Sequence, residues 1–104
     1  METILKSSKD NKIVKQNIKL VDGLFTPSDA SDIVNSVLDV KINHHKLKRL
    51  SITEGNSKDL CEYDNGRITE LIDAKLDAKS FFSDAKLKGK KLKIEGTISI
   101  SIQD

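Results

Sequence analysis

The final stretch, Leu92, Lys93, Ile94, Glu95, Gly96, Thr97, Ile98, Ser99, Ile100, Ser101, Ile102, alternates apolar and polar residues almost without fault. Successive side chains of a strand point to opposite faces, so the pattern predicts a long β-strand with one apolar and one wet face. Such a strand needs a cover on its apolar side. Gly96 is the one position on the apolar parity with no side chain to pack, and it predicts a bulge or a close helix approach.

A second alternating stretch runs from Ile13 to Val21, with Val14, Gln16, Ile18 and Leu20 on one parity, and Asp22-Gly23 is expected to end it. Thr26, Pro27, Ser28, Asp29 then reads as a helix start. It offers a hydroxyl N-cap, a proline at the first helical position and a carboxylate at the third, where a capping box has Glu. Ala30, Ile33, Val34, Val37, Leu38 and Ile42 follow at steps of three and four, Leu47 and Leu50 extend the series, and the end is expected between Asn43 and Ile52. The polar clusters at Glu54–Lys58 and Tyr63–Gly66 predict a loop over Thr53–Gly66. A second helix is expected from Ile68 through Leu71, Ile72, Ala74, Leu76, Ala78, Phe82 and Ala85, stopped by Gly89.

The order strand, helix, helix, strand predicts an α+β fold of two layers, an antiparallel helical hairpin packed on a small antiparallel sheet. Helices of about 24 residues at ~1.5 Å each match a strand of about 11 residues at ~3.3 Å. Residues 1–12, rich in Lys, Ser, Asp and Asn, read as a flexible leader to which Ile4 and Leu5 add at most a short strand, and 13–104 as a single α+β domain. With 104 residues and four aromatics, the core falls to Ile, Leu and Val.

Two thin layers with open strand edges favour self-association, and a homodimer is expected. The apolar positions of the first helix sweep about 200°, twice the stripe of an ordinary surface helix. Val40, Leu47, Leu50 and Phe81 lie outside the main stripes and form the candidate self-association surface. The expected function is a small intracellular interaction or regulatory module, with an unknown protein as a further partner.

The competing reading is a nucleic-acid-associated protein. Its candidate basic surface is His45, Lys46 and Arg49 with Lys88, Lys90 and Lys91, two clusters at the ends of the two helices. Cations there also complement the helix macrodipole. Net charge is only +2 and the cations are nearly all lysine, which lacks the guanidinium fork suited to base and phosphate recognition. A third reading is a small enzyme centred on Cys61 and His45, with the imidazole activating the thiol; no third, orienting residue stands out. No enzyme, cofactor or metal site is expected: His44 and His45 are adjacent and diverge by ~100° on a helix, and a helical zinc pair needs a spacing of three or four. The single cysteine excludes an internal disulfide, and no stretch has the length of a signal peptide core or a membrane span. A cytoplasmic location without membrane partners is expected.

The strings VDGLFTPSDA, EGNSKDLCEYDNGRITEL and GKKLKIEGTISISI resemble those of small, uncharacterised bacterial proteins, a likeness covering most of Val21–Ile102. The resemblance implies no activity and carries no functional residue onto this chain.

Overall fold

A computed structural model describes residues 2–6 and 13–103. The elements are β1 (Glu2–Lys6), β2 (Ile13–Phe25), α1 (Pro27–Gly55), α2 (Glu62–Leu87) and β3 (Leu92–Ser101). The fold is mixed α+β, and the order strand, helix, helix, strand is preceded by one further strand. The strands form one compact unit and Thr26–Lys91 another.

The sheet is antiparallel in the order β1-β2-β3. Glu2–Lys6, expected within a flexible leader, is ordered as a strand because β2 offers it a hydrogen-bonding edge, with Glu2 opposite Ile18 and Leu5 opposite Lys15. The rest of that leader, Met1 and 7–12, lies outside the described residues.

β2 does not stop at Asp22-Gly23 but continues to Phe25. Lys19 pairs with Thr97 and Val21 with Gly96, so Leu20 is an extra residue and β2 bulges there. The bulge switches parity: Gln16 and Ile18 before it and Val21 and Phe25 after it lie on one face, opposite Ile100, Ile98, Gly96 and Leu92. Asp22 and Gly23 are accommodated because that slip returns the apolar residues beyond them to the correct side. The irregularity expected at Gly96 thus sits across from it on the neighbouring strand. A Cβ added to Gly96 would lie 3.4 Å from Val21 Cγ1, so the close neighbour is a strand side chain.

In the helical unit, Thr26 Oγ1 accepts the Asp29 N–H at 3.2 Å with Pro27 at the start of α1, as the local sequence predicts. α2 ends in a Schellman arrangement: Gly89 has φ 64°, its N–H donates to Lys86 O, and the Lys90 N–H donates to Ala85 O, each at 3.1 Å. The expected loop over Thr53–Gly66 is much shorter. α1 runs on to Gly55 and α2 already begins at Glu62, so Tyr63–Gly66 is helix rather than turn.

Short polar bonds build the corner between the helices. Asn56 Oδ1 accepts the Lys58 N–H at 3.1 Å, Asp59 Oδ1 accepts the Cys61 N–H at 2.8 Å, and Asn65 Nδ2 donates to Leu60 O at 2.9 Å. Cys61 takes a left-handed conformation, φ 51° and ψ 43°, to turn the chain into α2.

Candidate functional site

The two helices pack as a hairpin along a row that alternates steps of three and four. From the N-cap of α2 the row is Cys61, Asp64, Ile68, Leu71, Lys75, Ala78, Phe82, Ala85, all buried or half-buried. On α1 it includes Leu38, Ile42, His45, Arg49 and Ile52. This is the spacing of a two-stranded coiled-coil seam. Polar residues interrupt it and find partners on the opposite helix. Arg49 Nη1 donates to Asn65 Oδ1 at 2.7 Å, and Lys75 Nζ donates to Asp39 Oδ1 at 2.6 Å.

The most enclosed of these pairs is His45 with Asp64. Nδ1 lies 2.8 Å from Oδ1, and the residues are 3% and 5% exposed. Asp64 stands in the first turn of α2, where the helix macrodipole favours a carboxylate. A carboxylate accepts but does not donate, so against an ionised Asp64 the proton sits on Nδ1. His45 Nε2 then faces the interior, buried and without a hydrogen-bond partner.

A carboxylate holding one imidazole nitrogen leaves the other to act as a base, which is the chemistry the third sequence reading requires. Here Nε2 is not hydrogen-bonded to the Cys61 thiol. The Cys61 thiol points at the main chain, with Sγ 3.8 Å from Arg49 O and 3.9 Å from Asp59 O. Burial pushes the thiol pKa up; the charge and hydrogen bond of Asp59 and the charge of Asp64 add to this, against a smaller opposing effect of Arg49. An activated cysteine needs the reverse shift. Among the described residues, no group of three or more His, Cys, Asp and Glu is placed to hold a metal ion.

The candidate basic surface loses His45, whose ring is sealed in the seam by Asp64. Sequence placed it on the surface because a histidine beside Lys46 at a helix end reads as solvated. Arg49 is half-buried and engaged with Asn65, and Lys88 is paired with Asp84 at 3.0 Å. Lys46, Lys90 and Lys91 are exposed. Lys46 lies beyond the middle of α1, whereas Lys88–Lys91 follow the far end of α2, a helix of 26 residues or ~39 Å at ~1.5 Å per residue.

All four members of the candidate self-association surface are exposed: Val40 at 71%, Leu47 at 68%, Leu50 at 56% and Phe81 at 61%. Val40 and Leu47, seven residues apart, share one side of α1, roughly 170° from the hairpin seam at ~100° per residue. Leu50 is about 60° from Leu47, toward the seam, by the same measure. Phe81 stands on the other helix, its ring edge-on to Phe82 with centroids 6.1 Å apart.

Sequence reading missed Asp64, which it assigned to a turn. The signal was present in the uninterrupted steps from Cys61 to Ala85, but a carboxylate and an ammonium occupy two of those positions and hide the row from an apolar count. Among the described residues no helix is long and apolar enough to cross a membrane. No protein-family model, curated protein or solved structure matches the chain, so no known function reaches it through likeness, and nothing ties the resemblance seen in the sequence to a bacterial source.

Proposed function

We propose that the chain is a homo-oligomeric interaction module whose fold is completed by a second copy. The observation that carries this is the thinness of the interior. Among the described residues no large side chain is fully buried, and the buried apolar set is Ala30, Ile42, Cys61, Ile68 and Ala85. Fully burying one Val, Leu or Phe side chain contributes ~1.5–3 kcal/mol. Val40, Leu47, Leu50 and Phe81 therefore represent a large reserve that self-association would use. In this reading the module works in a reducing compartment, where its single cysteine stays a thiol.

Sedimentation equilibrium from micromolar to submillimolar concentration tests the proposal. The wild-type chain is expected to exceed the monomer mass, and a clean monomer throughout overturns the reading. Leu47→Asp, which places a charge on the α1 surface, is expected to weaken association by about tenfold or more, the equivalent of ~1.4 kcal/mol.

A further inference from the structure

β3 pairs with β2 along one edge, and in the sheet order β1-β2-β3 its other edge has no strand beside it among the described residues. The Ile102 N–H donates to Val14 O at 3.1 Å. In an antiparallel ladder the direction of the backbone groups alternates along the strand. Even-numbered residues of β3 therefore commit their N–H and C=O groups to β2, while Thr97, Ser99 and Ser101 turn theirs to the open edge. The stretch from Thr97 to Ile102 is exposed and uncharged. It lacks the lysine, proline or bulge with which natural sheets blunt an edge, and both register shifts of this sheet put the extra residue on β2, Val14 against β1 and Leu20 against β3.

We propose that the open edge of β3 is a self-pairing site, to which β3 of a second copy adds in antiparallel fashion about a two-fold axis at Thr97. The inference deepens the self-association reading above and rests on it. Centring the pair on Thr97 gives every residue from Leu92 to Ile102 a partner. Ile94 faces Ile100 of the second copy, so the apolar row continues across the junction on the same side of the sheet. On the polar side Glu95 faces Ser99, Lys93 faces Ser101, and Thr97 faces itself, a favourable cross-strand pair. Centring on Glu95 would set two carboxylates directly opposite each other, which is unfavourable.

The contact is the strip from Leu92 to Ile102, 11 residues or ~36 Å at ~3.3 Å per residue, narrow beside the ~800 Å² per partner of a standard interface. It belongs to the weaker class of association and calls for micromolar to submillimolar protein.

Two variants test it. Ser99→Pro removes an N–H that points to the open edge and leaves the β2 ladder its own bonds, so it is expected to lower the weight-average mass while the circular dichroism stays that of the wild type. Thr97→Cys in a Cys61→Ala background is expected to join two copies through a short bis-thiol-reactive cross-linker, because an opposed hydrogen-bonded pair has Cα atoms ~5.5 Å apart. If Ser99→Pro does not fold, the cross-link alone decides. Wild-type association with no cross-link at residue 97 overturns the edge pairing and leaves the self-association reading standing. A monomeric wild type overturns both.

Discussion

Cys61 concentrates several constraints in one residue. Its backbone is left-handed, a region that L residues occupy at a cost, and its N–H is held by Asp59 while its thiol is enclosed at 6% exposure. The raised thiol pKa has a direct readout. Iodoacetamide labelling followed against pH is expected to show a midpoint above the ordinary thiol range, and Asp59→Asn is expected to bring it down. A wild-type midpoint at or below the ordinary value would contradict the burial and the carboxylate field. The sign for stability follows by linkage: the folded chain holds this proton where the unfolded chain releases it, so the contribution is intact below the ordinary thiol pKa and lost as pH rises from there through the folded value. Nothing in the sequence distinguished this cysteine from an incidental one, because its surroundings come from Arg49, Asp59 and Asp64 folded around it.

The helical hairpin is pinned at the level of elements by polar residues within an apolar row. A slip of α1 against α2 by a single step would remove His45 from Asp64 and Arg49 from Asn65 together, so these contacts specify register as a polar seam residue does in a coiled coil. His45→Ala is expected to destabilise the fold by ~1–3 kcal/mol, because Asp64 is left buried without its partner. Replacing both by leucine is expected to recover most of that loss, since apolar substitutes for a buried pair are often neutral or stabilising. Chemical denaturation of the two single leucine variants and the double variant measures the coupling, and strict additivity would contradict a registering role. The ends of these helices show where local signals suffice. The start of α1 was legible at Thr26-Pro27-Asp29 because capping involves neighbouring residues. Its end at Gly55 and the start of α2 at Glu62 were not, because the residues around them carry no apolar period and the partners of Asp64 and Asn65, His45 and Arg49, come from the opposite helix.

For the whole molecule, the proposed cover of the exposed apolar positions on α1 and of the edge of β3 by a second copy would make stability depend on concentration. Self-association that favours the folded state raises the thermal midpoint with protein concentration by mass action. The midpoint is therefore expected to climb across a hundredfold dilution series, and a constant midpoint would count against oligomer-linked stability. The sequence by itself determined the α+β class, the two long strands, the capped start of α1 and the glycine stop of α2. Each of these depends on periodicity or on residues within a turn of one another, and both are present in the linear chain. Only the tertiary structure decided the third strand, the bulge at Leu20 that keeps β2 on one apolar face, and the burial of His45 against Asp64. Those features arise from residues distant in sequence, where a polar side chain is stable inside only when its partner has arrived from another element. The alternating tail from Leu92 to Ile102 shows both limits: its strand and apolar face are written in its own residues, while its position at the edge of the sheet, with Thr97, Ser99 and Ser101 turned outward, depends on where β1 and β2 pair.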